Sequence, residues 1–119
     1  MKTIEYYLEK GFPPKEAAYF ANGRRTITGV TPEKGKTLLL QFDNGETRRL
    51  DMRPIIQKGG VFAFLSCQED FNRVYLDEEN CVSWDRDPEV DSLLVWDNKI
   101  DLSPEMCYLD SRPVGQLPD

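Results

Sequence analysis

The segment Asp43–Glu46, which reads Asp-Asn-Gly-Glu, constrains the fold of this chain more than any other. An Asn-Gly pair readily adopts the positive φ angles of a tight hairpin turn. Alternating apolar residues precede it in 37–42, and a second strand-like stretch follows in 47–52, so the sequence predicts an antiparallel hairpin. Two registers are open. A two-residue loop would place Asp43 opposite Glu46, where like charges repel, whereas a three-residue loop with a glycine bulge avoids that pair.

Further strands are predicted on either side of this hairpin. Thr26–Val30 is rich in β-branched residues, and a turn at Thr31–Gly35 separates it from the hairpin. Val74–Leu76 and Cys81–Trp84 flank a second turn at 77–80. The strands therefore form a small antiparallel sheet built from hairpins.

The N-terminal residues 3–23 predict two short helices. Gly11 suits the end of the first helix, the prolines at 13–14 suit the start of the second, and Gly23 suits its end. We expect Phe12, which lies between the two helices, to enter the core, and the exposed residues of the second helix to be mainly Lys15, Glu16 and Tyr19.

Later segments predict short helical turns and one buried stretch. Ser66–Glu69 has the spacing of a capping box, and Ser103–Glu105 has a serine cap followed by proline. The apolar run Val61–Leu65 is expected to be buried. The predicted fold class is α+β: a small antiparallel sheet with two short N-terminal helices and short helical turns packed on it.

The composition excludes several classes of site. The chain of 119 residues has no histidine, which removes Ser-His-Asp catalysis and histidine-bearing zinc sites. Its three cysteines, Cys67, Cys81 and Cys107, are odd in number and contain no C-x-x-C pair, so buried reduced thiols are expected. Glycine motifs that bind phosphate are also missing. We expect no catalytic residue, no cofactor and no metal.

Charge is divided unevenly along the chain, which has a net charge of −6. Residues 1–50 hold nine Lys/Arg and six Asp/Glu, whereas residues 51–119 hold six and fifteen. The acidic balance argues against direct binding of nucleic acid, which needs a basic surface. Charges interrupt the N-terminus and no apolar run is long enough for a membrane span, so a soluble, cytoplasmic protein is expected.

Acidic residues alternate from Asp85 to Asp91, a pattern that favours oxygen ligands for calcium. However, Val90 and Trp96 stand where a calcium-binding loop of the EF-hand type needs glycine and glutamate, so a solvated acidic loop is the better interpretation. Two tryptophans bracket this stretch and either pack in the core or, if exposed, form an aromatic anchor for a partner. The candidate interaction surface comprises Trp84, Asp85, Asp87, Asp91, Leu93 and Trp96.

An ordered series of short motifs extends from about Ile27 to Ser111. The motifs are Phe42–Gly45, Leu50–Pro54, Gly60, Phe62–Leu65, Phe71 with Val74, Trp84 and Asp101–Tyr108. This series resembles the small bacterial domain-of-unknown-function family numbered 2442. The resemblance implies a small cytoplasmic α+β domain with an antiparallel sheet, in some members fused to a DNA-binding helix-turn-helix domain. It implies no activity and no catalytic residue.

This resemblance divides the chain into parts. Residues 1–112 are expected to form a single α+β domain, in which 26–111 is the family-like core. The chain departs from the family pattern by a helical N-terminal extension, 1–25, and by an acidic insertion, 85–96. Residues 113–119 are expected to form a loose C-terminal tail.

Three functions remain open at this point. The favoured one is a non-enzymatic protein-interaction module of a bacterial cytoplasm, whose partner is a basic protein or a second copy of the chain. The second is an accessory or regulatory component that acts with a DNA-binding or toxin-like partner, an analogy with the fused family members. The third is a small ligand-binding protein or enzyme that uses Tyr, Cys or carboxylate groups.

Overall fold

The computed structural model describes residues 2–114, in which the strands form two antiparallel sheets. The first sheet has the order β1-β2-β3-β7 and the second has the order β4-β5-β6. The first comprises β1 (Ile27–Glu33), β2 (Thr37–Phe42), β3 (Thr47–Asp51) and β7 (Arg112–Pro113), and the second β4 (Tyr75–Leu76), β5 (Val82–Asp85) and β6 (Lys99–Leu102).

Short helices connect and cover these strands, which confirms the predicted α+β class. Within residues 2–114, no helix combines the length and apolar character that crossing a bilayer requires. The helices are α1 (Ile4–Glu9), α2 (Pro14–Ala21), α3 (Arg53–Gln57), α4 (Gln68–Phe71) and α5 (Pro104–Asp110), with 3-10 turns at Gly60–Ser66 and Trp96–Asn98.

The β2–β3 hairpin has the three-residue loop. The amide of Phe42 donates to the carbonyl of Glu46 at 2.9 Å, and the amide of Gly45 donates to the carbonyl of Phe42 at 3.0 Å. Gly45 has a φ of 88°, which glycine adopts without the steric cost of a side chain. Asp43 therefore does not face Glu46, and the register that avoids repulsion is confirmed.

One continuous core joins the two sheets. The inward faces of β2 and β3 bury Leu38, Leu40 and Leu50, and β5 contributes Val82 and Trp84. Each fully buried aliphatic side chain contributes about 1.5–3 kcal/mol to folding. Because α5 also packs Cys107 into this core, the helix and the two sheets share one hydrophobic cluster.

The helical extension packs differently from the prediction at two aromatic residues. Phe12 does not enter the core: its side chain is 36% exposed and packs against the rings of Tyr7 and Phe20. Tyr19, which the predicted α2 face places in solvent, is buried, and its hydroxyl accepts a hydrogen bond from the amide of Arg25 at 3.0 Å. The extension thus has its own aromatic cluster and docks through Tyr19.

Three short segments also differ from expectation. The capping box at Ser66–Glu69 does not form, because α4 begins one residue later with Cys67 at its cap and no side-chain cap bond. The run Val61–Leu65, which the sequence predicts to be buried, lies in the 3-10 turn at Gly60–Ser66, where Leu65 alone is buried and Val61 is exposed. The turn predicted at Thr31–Gly35 is shorter, since β1 continues to Glu33 on the edge of the sheet, where Pro32 is tolerated.

The C-terminal segment and the cysteines complete the comparison. Arg112–Pro113 pairs with β3 as β7, so regular structure includes Pro113, the first residue of the predicted tail. Residues 115–119 of that tail lie outside the described residues. Of the three thiols, Cys107 is buried, Cys81 is half-buried and Cys67 is exposed. The prediction of buried thiols holds for Cys107 alone.

Candidate functional site

The acidic segment that the sequence predicts as an insertion, 85–96, lies almost wholly in the connection between β5 and β6, which we call the β5–β6 loop (residues 86–98). The two strands pair with Asp85 opposite Lys99, so the loop begins and ends at neighbouring points. The amide of Arg86 donates to the carbonyl of Asn98 at 2.8 Å and closes the base. The loop is therefore anchored at both ends to the second sheet.

Asn98 holds the two limbs of the β5–β6 loop together. Its side chain is buried, and its Nδ2 donates to the carbonyl oxygens of Asp87 at 3.1 Å and Val90 at 3.2 Å and to the hydroxyl of Ser92 at 2.9 Å. Its Oδ1 accepts from the amide of Asp87 at 3.0 Å. One amide side chain thus satisfies backbone groups that would otherwise lack partners, as buried polar groups require.

Asp85 ties the loop to β4. Its Oδ1 accepts hydrogen bonds from the hydroxyls of Tyr75 at 2.8 Å and Ser92 at 2.7 Å. Burial and the hydrogen bond to Asp85 raise the pKa of Tyr75 well above its ordinary value. The phenol therefore stays protonated and acts as a structural donor.

The tip of the loop presents apolar side chains to solvent. Asp91 organises it, since its Oδ1 accepts from the amide of Leu93 at 2.9 Å and its carbonyl accepts from the amides of Leu94 and Val95 at 3.0 Å each. Leu93, Leu94 and Trp96 are 86%, 83% and 85% exposed. We call Leu93–Trp96 the apolar tip. Four adjacent apolar residues on an ordered loop differ from the singly scattered ones common on soluble proteins.

Carboxylates flank the apolar tip along the β5–β6 loop. Asp87, Glu89, Asp91 and Asp97 are all exposed, and Arg86 is the one cationic residue of the β5–β6 loop. Within the described part of the chain, none of these carboxylates forms an ion pair. The loop therefore combines an aromatic and aliphatic tip with negatively charged flanking residues.

The structure separates the residues of the predicted surface. Trp84 is wrong as a surface residue: it is 0% exposed, and its Nε1 donates to the carbonyl of Phe71 at 3.0 Å within the core. Asp85 is half-buried and supports the loop from below. The other four, Asp87, Asp91, Leu93 and Trp96, are exposed residues of the β5–β6 loop.

A groove of about 320 Å³ lies elsewhere, between α2, the β2–β3 turn and α5, and we call it the tyrosine groove. The rings of Tyr19 and Tyr108 line it with their centroids 5.5 Å apart. Lys15, Arg25 and Arg48 also line it. Sequence reasoning missed this groove because it treated Tyr19 as an exposed residue of α2, and no local pattern links α2 to α5.

The polar groups in the groove are mostly engaged. The hydroxyl of Tyr108 donates to Glu46 at 2.6 Å, and Arg48 donates to Glu46 at 3.1 Å and to the hydroxyl and carbonyl oxygens of Ser111 at 2.8 and 2.7 Å. Burial and the bond to Glu46 raise the pKa of Tyr108. Burial works against ionisation of Glu46, but bonds from Tyr108, Asn44 and Arg48 outweigh it and lower its pKa.

A third cluster brings Asp77, Cys81 and Asp101 within ligand distance of one another, with their donor atoms inside 4.8 Å. Lys99 neutralises one carboxylate of this cluster, because its ammonium lies 2.8 Å from the Oδ2 of Asp77. The other oxygen of Asp77 accepts two backbone amides, those of Glu79 and Cys81, at 2.9 Å each. Burial also raises the pKa of the Cys81 thiol, which disfavours the thiolate that binds metals.

The thiol in the core is likewise poorly suited to nucleophilic chemistry. Burial raises the pKa of Cys107 to about 12, and its side chain is enclosed by the core. A reactive cysteine needs a lowered pKa and access to solvent. The raised pKa values of Cys81 and Cys107 therefore argue against a nucleophilic role for either thiol.

Fold and sites together define a small α+β domain of two antiparallel sheets that carries an exposed loop between β5 and β6. A family model described as "Protein of unknown function (DUF2442)" matches residues 27–109, so the chain belongs to this family. The matched region contains all of both sheets except β7, while α1 and α2 precede it. Searches among curated proteins and among solved structures found no match.

Proposed function

We propose that this protein is a non-enzymatic protein-interaction module that binds its partner through the apolar tip and the carboxylates around it. One observation carries the proposal: Leu93, Leu94 and Trp96 are each more than four-fifths exposed on a loop that is itself hydrogen-bonded. Exposed apolar clusters rimmed by polar residues are typical of interaction sites. Tryptophan is among the residues that most often dominate binding energy.

The order of the loop supports a binding role. Asn98, Asp85 and Asp91 hold the loop backbone and its base in place before any partner arrives. A partner then pays less conformational entropy than it would to order a flexible segment. This arrangement supports a preformed recognition loop.

The chemistry of the tip indicates the chemistry of the partner. An apolar pocket is needed for Trp96 and its leucine neighbours, and basic side chains around that pocket would complement Asp87, Glu89 and Asp97. The raised pKa values of Tyr75, Tyr108 and Cys107 support a role without catalysis. A bacterial cytoplasm is the proposed setting, in keeping with the family resemblance.

The test is a comparison of three tagged forms of the full chain in cross-linked cell extracts. The first is the wild type, the second carries Leu93→Ser with Trp96→Ser, and the third carries Val61→Ser. Val61 is exposed on the 3-10 turn, so the third form removes an apolar surface residue outside the loop. We expect the same stoichiometric partner with the wild type and Val61→Ser, and a loss of at least tenfold with the loop variant.

Equal recovery of that partner by the loop variant would contradict the proposal. So would a wild type that binds nothing stoichiometrically and remains a monomer of 13.8 kDa. The replaced side chains are exposed, so we expect all three forms to give the same circular dichroism spectrum. Equal spectra would exclude loss of fold as the cause of reduced binding.

A further inference from the structure

We infer that the partner of the apolar tip is the tyrosine groove of a second copy of this chain, so that the protein self-associates head to tail. This inference rests on the proposed function, because it uses the same loop. Tip and groove share no residue. Trp96 is exposed in its own chain, so it does not occupy its own groove.

The lining of the groove matches the chemistry of the tip. Its volume of about 320 Å³ is at the lower end for binding pockets, a size suited to one or two side chains. Two tyrosine rings offer aromatic surface, and aromatic pairs are favourable beyond the area they bury. Lys15 and Arg25 would lie beside the incoming indole, where cations attract its π face.

Charge complementarity supports a second copy over an unrelated partner. Most residues that line the groove come from the half of the sequence with excess Lys and Arg, whereas the tip lies in the strongly acidic half. Lys15 forms no ion pair within residues 2–114, and Arg25 approaches Asp43 only at 3.7 Å. Both cations can therefore meet the carboxylates around the tip of another copy, such as Glu89 and Asp97.

The existing bonds in the groove determine what its walls present. The hydroxyl of Tyr108 and the guanidinium of Arg48 already donate to protein acceptors, so these two residues offer mainly ring and planar faces. Lys15 and Arg25 add cationic edges. A tip made of indole, leucine and nearby carboxylates uses those features.

The geometry sets the form of the assembly. A surface that binds a different surface on the next copy makes a heterologous contact, which produces rings or open chains rather than an isologous dimer. A single tryptophan buries about 150–250 Å². Such a contact is small, so self-association should depend strongly on protein concentration.

The experiment mixes two variants that each lack one surface. The loop variant carries Leu93→Ser and Trp96→Ser, and the groove variant carries Lys15→Glu and Ala18→Glu, two residues that line the groove on α2. Sedimentation velocity over a concentration series gives the mass of each form alone and of their equimolar mixture. A second groove variant, Lys15→Glu alone, alters one exposed side chain and keeps the test valid if the double substitution disturbs α2.

We expect the wild type to exceed the monomer mass of 13.8 kDa as concentration rises, and the loop variant and the double groove variant, each measured alone, to remain at that mass. The mixture should form a species of twice the monomer mass, because one intact tip meets one intact groove and the chain cannot extend further. The Lys15→Glu protein, measured alone, should self-associate at least threefold more weakly than the wild type. Val61→Ser should associate as the wild type does.

Three outcomes would overturn the inference: a wild type that stays monomeric throughout, a mixture that stays monomeric, or groove variants that associate as strongly as the wild type. The last would mean that the tip docks on another surface. If the wild type is monomeric but still captures a different protein through Trp96, the self-association fails while the proposed function stands. If the loop variant associates normally, both proposals lose their support.

Discussion

The guanidinium carbon of Arg48 lies 4.3 Å from the centroid of the Tyr108 ring, and both side chains also bond to Glu46. These residues come from β3 and α5, so the contact fastens the last helix to the first sheet. Arg48 also bonds twice to Ser111, where the chain leaves α5 for β7. One mostly buried cation thus positions helix, sheet and a wall of the tyrosine groove.

Removing Arg48 should therefore be costly. In Arg48→Met, Glu46 keeps its charge but loses its cationic partner in a site where the arginine side chain is 11% exposed. Because Glu46 is 31% exposed, the pair is partly buried, and loss of its charge-assisted bond and of the two bonds to Ser111 should lower the free energy of unfolding by about 2 kcal/mol. Urea unfolding measures the change, and Arg53→Met is the control because the Arg53–Asp51 pair is exposed and should contribute little. Equal effects of the two substitutions would contradict the structural role of Arg48.

Tyr108→Phe isolates the hydroxyl from the ring. The phenylalanine keeps the edge-to-face contact with Phe42 and the contact with the Arg48 cation, but Glu46 loses its shortest hydrogen bond. We expect a loss of about 1.5 kcal/mol in unfolding free energy, typical of a hydrogen bond to a charged group. The pKa of Glu46 should rise towards its ordinary value, because this bond helps to lower it. A carboxyl titration followed by NMR would detect that rise, and an unchanged titration would contradict the assignment.

Asn98→Ala should loosen the β5–β6 loop while leaving the sheets intact. The substitution removes donors to two carbonyls and a hydroxyl and an acceptor for the amide of Asp87. We expect a loss of about 2 kcal/mol and faster hydrogen exchange confined to residues 86–98. Asn72→Ala is the matched control, since Asn72 is exposed and its side chain accepts one hydrogen bond. Unchanged exchange in the loop would show that Asn98 does not organise it.

How far the sequence predicts the molecule depends on whether the signal is local. The Asn-Gly turn, the serine cap of α5 and the alternation in β2 each rest on neighbouring residues, and the structure confirms all three. The capping box predicted at Ser66–Glu69 also rests on a local signal, but this prediction is wrong. The N-cap of α4 is Cys67, and its side chain forms no cap bond. Local chemistry was sufficient where tertiary packing did not compete with it.

Long-range placement could not be predicted in the same way. Trp84 and Trp96 have similar acidic neighbours in the sequence, yet one is in the core and the other is in solvent. What separates them is position: Trp84 lies on a central strand whose inward face meets Phe71, whereas Trp96 lies beyond the turn that Asp91 organises. The tyrosine groove was missed for the same reason, since Tyr19 and Tyr108 meet only through the fold.

This division of the tryptophans has a spectroscopic consequence. Trp96→Phe leaves the buried Trp84, so its fluorescence should be blue-shifted and resistant to acrylamide. The wild type adds the emission of an exposed indole, which should be red-shifted and readily quenched. On self-association the quenched fraction should fall, because the indole enters the groove. A wild-type spectrum identical to that of Trp96→Phe would contradict the exposure of Trp96.

Asp77 makes the stability of the fold sensitive to acid. Its side chain is 3% exposed, and although burial opposes its ionisation, the bonds from Lys99 and from two backbone amides outweigh burial and lower its pKa below 3.8. A carboxyl whose pKa is lower in the folded state than in the unfolded state stabilises the fold above the unfolded value. That contribution is lost as the pH falls below about 3.8 and through the folded pKa.

We therefore expect the free energy of unfolding to be nearly constant from pH 7 to 5 and to fall steeply below pH 4. Glu33 and Glu46, whose pKa values are also lowered, add to the slope from about pH 4.5 downward. Asp77→Asn should have a lower free energy of unfolding at pH 7 but a shallower decline in acid, because the uncharged amide has no proton to gain. Urea unfolding between pH 7 and pH 2.5 measures both slopes. Parallel declines of the two proteins would show that Asp77 is not a source of the acid sensitivity.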